Sequence, residues 1–132
     1  MIVRGKASWF GGPGDTGVSP SEGLALYDHS DVASHPDLFL PAQPHGTSGV
    51  ARRLNPSAYF CAMRWNYEAT PREHLRQIKV KVTNVKTGES VFVSPVDWGP
   101  NVDTGRIIDL SPGVFRVLKL ETDSVVEVDV PV

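Results

Sequence analysis

The sequence predicts a small, mainly β protein in which short strands form a barrel and two short helices are inserted between them. Three observations support this fold class. Apolar and polar residues alternate cleanly at 78–82 and again at 124–130, as in half-buried strands. Eleven prolines and twelve glycines interrupt the 132 residues, which is typical of a fold with many loops. The pairs Thr70-Pro71 and Ser111-Pro112 are typical of the first residues of short helices.

The composition excludes several classes of protein. The chain of 132 residues, 40% of them hydrophobic and 21% charged, is long enough for one buried core. We therefore predict one domain over 1–132, with an irregular insertion at about 29–57. The net charge of −2 gives no electrostatic reason to expect a nucleic acid or an anionic membrane as partner. The sequence carries no cofactor motif, and we expect no cofactor.

The single cysteine and the N-terminal segment bear on redox state and compartment. Cys61 has no second cysteine to pair with, and its apolar surroundings predict a small core residue rather than a reactive thiol. Residues 1–6 lack the apolar core of a signal peptide, and no 18 consecutive residues are apolar. We predict no membrane span. The chain itself leaves the localisation open, and it is compatible with a domain of a longer exported protein.

The first half of the chain combines one strand with long loops. A strand is predicted over 2–10, and the glycine-rich segment 11–17 ends it. This segment lacks the Gly-Lys-Ser/Thr end of a phosphate-binding loop, so we expect it to line a groove. Residues 19–57 are irregular, and their histidines and aspartates match no standard zinc or calcium spacing. Several apolar residues predict that this segment is packed rather than loose, namely Leu38, Phe39, Leu40, Val50 and Leu54.

Two helices are predicted from their first residues. Thr70 is followed by a proline and then a glutamate, which predicts a capping box at the start of a helix over 70–77. Ser111 is also followed by a proline and predicts a second helix over 111–118. Apolar residues at helical spacing give this second helix one buried face.

Four further segments have the character of strands. Residues 58–65 are apolar enough for a buried strand, and 78–82 alternates with its lysines outward. Residues 90–96 follow a Thr-Gly turn and predict the return strand of a hairpin. Pro95 predicts that this return strand is an edge or carries a bulge near its end. Residues 124–130 close the chain as a strand.

The stretch 96–112 holds the strongest candidates for chemistry. Two apolar runs flank a loop rich in glycine and polar residues, and a carboxylate ends each flank. Asp97 lies where the first run gives way to the loop, and Asp109 lies just before the second predicted helix. Such acids are expected to have functional rather than packing roles.

Several motifs in this chain resemble those of the rare lipoprotein A family. Gly-Lys-Ala-Ser-Trp-Phe-Gly at 5–11 is similar to the first strand of that family, and residues 78–93 are similar to its central hairpin. Asp-Trp-Gly-Pro at 97–100 resembles its Asp-Arg-Gly-Pro motif, and Gly-Arg-Ile-Ile-Asp-Leu-Ser at 105–111 matches a further motif. The resemblance covers 5–12 and roughly 58–132.

The resemblance implies a six-stranded double-psi β-barrel, the fold of expansins and of endoglucanases related to them. It also implies a surface groove that binds a polysaccharide. Members of the family act as lytic transglycosylases on peptidoglycan glycan strands, whereas expansins loosen cell walls without clear hydrolysis. By position in the motifs, Asp97 corresponds to a catalytic aspartate of the transglycosylases and Asp109 to the essential acid of expansins.

The chain departs from the family motifs at three places. The family histidine that follows Ala-Met falls on Tyr67 here, or on Asn66 with a slip of one residue. Trp98 replaces the arginine of Asp-Arg-Gly-Pro. The Gly-Glu-x-Tyr-Asp segment of the family is only loosely present at 21–28. We therefore consider Tyr67 as a replacement proton donor or positioning group.

Further residues are candidates for binding a sugar. Trp9, Trp65 and Trp98 offer aromatic faces that pack well on pyranose rings. Core packing explains Trp9 and Trp65 equally well, whereas the loop position of Trp98 favours ligand contact. Glu22 and Asp28 are weaker candidates for a second carboxylate.

The two main acids differ in their expected protonation. Cleavage of a glycosidic bond needs an acid for the leaving oxygen, and a lytic transglycosylase needs no second carboxylate because the 6-hydroxyl of the sugar attacks. The helix start after Asp109 favours its ionised form and a structural role. Asp97 has more apolar neighbours and is the preferred general acid/base.

Three functions remain open from the sequence. The first is binding and cleavage of a cell-wall glycan of the peptidoglycan type, with Asp97 essential. The second is an expansin-like domain that binds a wall polysaccharide without cleaving it. The third is a docking module of a larger assembly. In the first two the partner is a polysaccharide or glycan strand, and we expect a monomer.

Overall fold

The computed structural model describes residues 1–131, and its strands form one closed barrel. The strands are β1 (Ile2–Trp9), β2 (Phe60–Met63), β3 (Val80–Asn84), β4 (Ser90–Trp98), β5 (Arg106–Leu110) and β6 (Val125–Asp129). Three short helices are α1 (Val50–Arg53), α2 (Arg72–Leu75) and α3 (Pro112–Val117). Two 3₁₀ helices span His29–Ser34 and Val102–Thr104. The predicted mainly β barrel with short helices is confirmed.

The strands follow one another around the barrel in the order β1, β5, β2, β4, β3, β6. Two neighbouring pairs are parallel, β1 with β5 and β2 with β4, and the other four pairs are antiparallel. This mixed six-stranded closure is compatible with a double-psi barrel. It places β2 between the two strands that carry the candidate acids, β4 and β5.

The barrel interior is filled by aliphatic side chains from alternating strand positions. Many of these residues are fully buried: Val80, Val82, Val93, Val96, Ile108, Leu110, Val126 and Val128. Cys61 is buried among them as a free thiol, as the sequence predicted. Burial raises the pKa of the Cys61 thiol well above its usual range, which keeps the thiol protonated and unreactive.

The segment 29–57 packs against the outside of the barrel. Leu38, Phe39, Val50 and Leu54 are all buried, which confirms that the predicted insertion is packed, while Leu40 is half-buried. These side chains share one hydrophobic cluster with Phe60 of β2. The cluster therefore fixes the position of the insertion on the outer face of the barrel.

The two predicted helices differ in how they begin. Ser111 caps α3 as predicted, because its Oγ accepts the N–H of Val114 at 3.3 Å and a proline occupies the first turn. The predicted capping box at Thr70 is wrong: Pro71 is the N-cap, without a side-chain hydrogen bond. The Thr70 N–H instead donates to the carbonyl of Asn66 at 2.8 Å, which places Thr70 in the preceding turn.

Several boundaries differ from those predicted. The strand expected over 58–65 is confined to 60–63, and the strand expected from residue 78 begins at Val80. The helix α1 was not predicted, because it has only four residues and no side-chain cap. The strand differences lie at element ends, where side-chain pattern constrains the backbone least.

Gly49 lies where the insertion touches the segment 21–22 that precedes it, and replacing it with alanine is expected to destabilise the fold. A Cβ at this position would overlap the backbone of Ser21 and the carbonyl oxygen of Glu22. That carbonyl also accepts the N–H of Ala51 at 3.2 Å, so the backbone at Glu22 cannot easily move away from Gly49. We expect Gly49→Ala to lower the free energy of unfolding by about 1–3 kcal/mol, measured by urea denaturation.

Gly14→Ala is the matched control for this prediction. No atom lies within 4 Å of a Cβ built at Gly14, so its variant should differ from the wild type by no more than about 0.5 kcal/mol. Equal stability of the two variants would show that the contact between Gly49 and Glu22 is not tight in solution.

Candidate functional site

Four side chains form a row, the acid row, across neighbouring strands on the outer face of the barrel. Ser8 of β1 is in register with Asp109 of β5, and Asp109 is in register with Ala62 of β2. Ala62 is in register with Asp97 of β4 on its other side. Paired residues on adjacent strands point to the same face, so both carboxylates flank the small side chain of Ala62. Two strand spacings put the Cα atoms of the acids about 10 Å apart.

A bulge in β4 gives Asp97 its outward direction. Cys61 is opposite Pro95 and Ala62 is opposite Asp97, so the pairing skips Val96. The predicted bulge near Pro95 is thus confirmed, although β4 has neighbours on both sides. The skip lets Val96 stay buried in the core while Asp97 points outward.

Asp97 is held in place through both its carboxylate and its backbone carbonyl. The backbone N–H of Ala25 donates to the Asp97 carboxylate at 2.8 Å. The indole Nε1 of Trp65 donates to the Asp97 carbonyl at 2.9 Å. Burial raises the pKa of Asp97, while the N–H groups of Ala25 and Trp98 oppose that shift and the charge of Glu22 adds to it.

Asp109 has the more strongly perturbed protonation of the two acids. Burial raises the pKa of Asp109 to about 6, and the carboxylates of Asp97 and Asp15 act in the same direction. Arg106 and Arg64 oppose the shift but do not cancel it. A carboxyl group with a pKa near 6 is partly protonated close to neutral pH, as a general acid requires.

The raised pKa of Asp109 differs from the expectation that the following helix keeps it ionised. The helix α3 has only six residues, and its N-cap Ser111 accepts the N–H of Val114. The backbone N–H groups at this end are therefore not directed at Asp109, and burial decides its protonation instead.

Two residues near the acids were missed by the sequence reasoning. Asp15 is 7% exposed and accepts the N–H groups of Gly11 at 2.8 Å and Gly17 at 3.1 Å, so it organises the glycine-rich loop. An aspartate inside a glycine-rich turn is itself a signal for such bonds. Arg64 directly follows β2, and no pattern in the sequence singles it out.

The predicted aromatic residues occupy different positions around the acids. Trp98 is 47% exposed, and its Nε1 donates to the carbonyl of Trp65 at 3.1 Å. Trp65 is 9% exposed, so it supports β4 more than it offers a face to a ligand. Tyr67 is 37% exposed; burial of its ring raises the pKa of its phenol, and the charge of Asp97 adds to that rise. Trp9 is 42% exposed and is in register with a core residue, on the face of β1 opposite the acid row.

The two further carboxylate candidates differ in position. The charge of Glu22 reaches Asp97, because the segment beside Glu22 packs against β4 through the N–H of Leu26 and the carbonyl of Val96 at 3.2 Å. Asp28 caps the first 3₁₀ helix, where its carboxylate accepts the N–H of Ser30 at 2.8 Å. The structure therefore brings Glu22 to the acids and gives Asp28 a local capping role.

Two sizeable cavities of the barrel lie away from the half-buried acids. A cavity of about 530 Å³ is lined by residues of the β3–β4 turn and of the loop before β6. Another, of about 430 Å³, lies beside Met1 and the residues that follow β2. Neither is lined by Asp97 or Asp109.

Two searches of residues 1–131 bear on metal binding and membrane insertion. No three His, Cys, Asp or Glu side chains in this range come together as a metal site would require. No helix in the same range has the length and apolar character needed to cross a bilayer. In the insertion, Asp31 pairs with Arg76 at 2.9 Å and the ring of His35 packs on Tyr27.

The buried carboxyl of Asp109 predicts a pH-dependent effect on stability. Its folded pKa of about 6 lies above the unfolded value of about 4, so this group stabilises the fold least above pH 6 and most below pH 4. A tenfold change in the proton affinity of a carboxylate corresponds to about 1.4 kcal/mol, and partial exposure reduces the effect. We expect Asp109→Asn to raise the free energy of unfolding by about 1–2 kcal/mol at pH 7.5.

This stabilisation should disappear near pH 3.5, where the wild-type carboxyl is protonated in both states. Denaturant titrations of the wild type and the variant at both pH values measure the difference. A variant that is less stable than the wild type at pH 7.5 would contradict the burial of an ionisable group at this position.

Neither a scan against protein-family models nor a search of curated proteins finds a match to this chain. The chemistry of the site therefore rests on its own geometry. Two half-buried carboxyl groups with raised pKa values lie in one row, and such a pair can donate a proton to one ligand oxygen and accept a proton from another.

Proposed function

We propose that this protein binds a cell-wall glycan of the peptidoglycan type across the acid row and cleaves it as a lytic transglycosylase does. The observation that carries the proposal is the pair Asp97 and Asp109, which flank Ala62 in register with their pKa values both raised. Raised carboxyl pKa values are characteristic of the acids of glycoside-cleaving enzymes.

The two carboxyl groups take different roles in the proposed reaction. Asp109 in its acid form donates its proton to the glycosidic oxygen as the bond from that oxygen to C1 breaks. The 6-hydroxyl oxygen of the same sugar bonds to C1, and Asp97 accepts the proton that this hydroxyl loses. The product carries a 1,6-anhydro ring, and no water is consumed.

This assignment revises the preference for Asp97 as the proton donor. The carboxylate of Asp97 accepts the N–H of Ala25, and this bond and the nearby Trp98 N–H favour the carboxylate form and a role as base. The side chain of Asp109 forms no hydrogen bond within residues 1–131, so its acid proton is free for a ligand oxygen. Asp97 remains essential in the proposal, as the base rather than the acid.

The motif resemblance supports the same substrate class. The chain is proposed to be a rare lipoprotein A-like domain, since its barrel has the strand number that this family implies. Tyr67 falls at the position of the family histidine and lies close enough to Asp97 for their charges to interact. We propose that the Tyr67 hydroxyl positions the sugar whose 6-hydroxyl attacks.

A non-catalytic, expansin-like binder is the second candidate. The observation that favours it is the exposure of Trp98 and Tyr67, which can stack on sugar rings without any proton transfer.

Incubation with insoluble peptidoglycan separates the two candidates. The proposed enzyme should sediment with the polymer and also release soluble fragments, whereas a binder should sediment and release none. Parallel incubation with cellulose tests the glycan class. Binding to peptidoglycan without release at any pH from 4 to 8 would exclude the proposed cleavage and leave the binder.

A further inference from the structure

Arg64 joins the two strands that carry the acids. Its Nη1 donates to the carbonyl oxygens of Pro100 and Arg106, both at 2.8 Å. Pro100 lies at the start of the connection from β4 to β5, and Arg106 is the first residue of β5. One guanidinium nitrogen therefore links both ends of this connection through hydrogen bonds.

The remaining hydrogen bonds of the connection are mostly local. Within it, Asn101 and Thr104 bond to nearby backbone groups. The carbonyl of Met63 accepts the N–H of Gly99 at 3.1 Å, which also attaches the connection to the end of β2. Two residues at the end of β2 therefore hold the connection: Met63 binds its first part, and Arg64 also binds β5.

Arg64 also has an electrostatic effect on Asp109. Within residues 1–131 no carboxylate lies within salt-bridge distance of its guanidinium, whereas Arg106 pairs with Asp123 at 2.9 Å. The two backbone carbonyls satisfy N–H groups of the Arg64 guanidinium, but they do not neutralise its positive charge. The half-buried cation of Arg64 consequently acts on Asp109 and opposes the rise of its pKa.

We propose that Arg64 is a positioning residue that fixes the spacing of Asp97 and Asp109 and places a cation beside them. Its guanidinium has two separable roles. It hydrogen-bonds two carbonyl oxygens, an arrangement called the clamp, and it supplies a positive charge. Its importance for catalysis rests on the proposed glycan cleavage, but both roles can be measured without a substrate.

Two substitutions separate the clamp from the charge. Arg64→Lys keeps the cation but loses the planar guanidinium that reaches both carbonyls. Arg64→Met removes the clamp and the charge while keeping a long apolar stem. Arg4→Met is the control, because Arg4 belongs to a surface ion pair with Glu127 at 2.9 Å near the start of β1.

Carboxyl-detected NMR titration of the intact protein gives the pKa of Asp109, and amide hydrogen exchange reports the order of residues 99–105. Arg64→Met should raise the pKa of Asp109 by about 0.5, and Arg64→Lys and Arg4→Met should leave that pKa unchanged to within about 0.2. Exchange in 99–105 should quicken several-fold in both Arg64 variants and stay unchanged in the Arg4 variant.

An unchanged pKa of Asp109 in Arg64→Met would overturn the electrostatic role, and unchanged exchange in both Arg64 variants would overturn the clamp. The wild-type titration separates these results from a failure of the proposed function. If wild-type Asp109 titrates near 6 and the Arg64 variants behave as expected but peptidoglycan is not cleaved, the positioning role stands and the cleavage proposal fails.

Discussion

Replacing Asp109 with asparagine is expected to lower the release of soluble fragments from peptidoglycan by about 10²–10⁴-fold, because the proton donor of the proposed reaction is lost. Asparagine matches the shape of the side chain but has no acid proton near neutral pH. Release is measured chromatographically after incubation, at matched amounts of bound protein. Binding to the polymer should stay within a few-fold of the wild type, because the substitution leaves the shape of the site unchanged.

The effect on release cannot be attributed to unfolding, since the same substitution is expected to stabilise the fold at neutral pH. Asp129→Asn provides the control, because Asp129 lies on β6, opposite β2 in the strand order of the barrel. That variant should release fragments at the wild-type rate. Asp97→Asn should reduce release as strongly as Asp109→Asn. Retained release in either acid variant would remove that residue from the mechanism.

Replacing Phe60 with alanine is expected to lower the free energy of unfolding by about 3–5 kcal/mol. Phe60 is fully buried where the barrel meets the insertion, and its ring packs edge-on against Phe10 with centroids 5.1 Å apart. Gly11 has no side chain and a positive φ of 88°, which lets the backbone approach the Phe60 ring. The cavity left by the substitution has backbone on one side and cannot close easily.

Phe92→Ala is the matched control for Phe60→Ala. Phe92 lies on β4 and is 61% exposed, so its loss should change stability by no more than about 0.5 kcal/mol. Thermal and urea denaturation of both variants gives the comparison. Similar stability of the two variants would mean that the insertion does not pack on β2 as described.

The sequence predicts the barrel well where local pattern and fold agree. Alternation located β3 and β6, because a strand with one buried face must alternate. Ser111 was predicted as a cap because a serine before a proline satisfies free N–H groups by local geometry alone. Thr70 offered the same local pattern, but the turn before it engaged its backbone and the helix began later.

The candidate site is predictable in part. Asp97 and Asp109 stand out because each ends an apolar run beside a polar loop. Their common row across Ala62 depends on pairing between strands far apart in sequence, and a bulge shifts that pairing by one residue. No local pattern encodes such a register.

The protonation of the two acids also cannot be predicted from the local sequence. Asp97 has apolar neighbours along the chain, yet the N–H of Ala25, 72 residues earlier, stabilises its carboxylate. Asp109 precedes a helix, yet burial and the charges of Asp97 and Asp15 determine its pKa. Long-range packing thus decides which acid carries the proton, and the same holds for the contacts of Arg64.

Mass spectrometry of the fragments that the wild-type protein releases from peptidoglycan tests the proposed function most directly. The proposed attack by the 6-hydroxyl predicts fragments with 1,6-anhydro ends, lighter by the mass of one water molecule than those from hydrolysis. These fragments should decline above about pH 6, as Asp109 loses its proton. Fragments with ordinary reducing ends, or no fragments from polymer that retains bound protein, would contradict the proposed transglycosylase reaction.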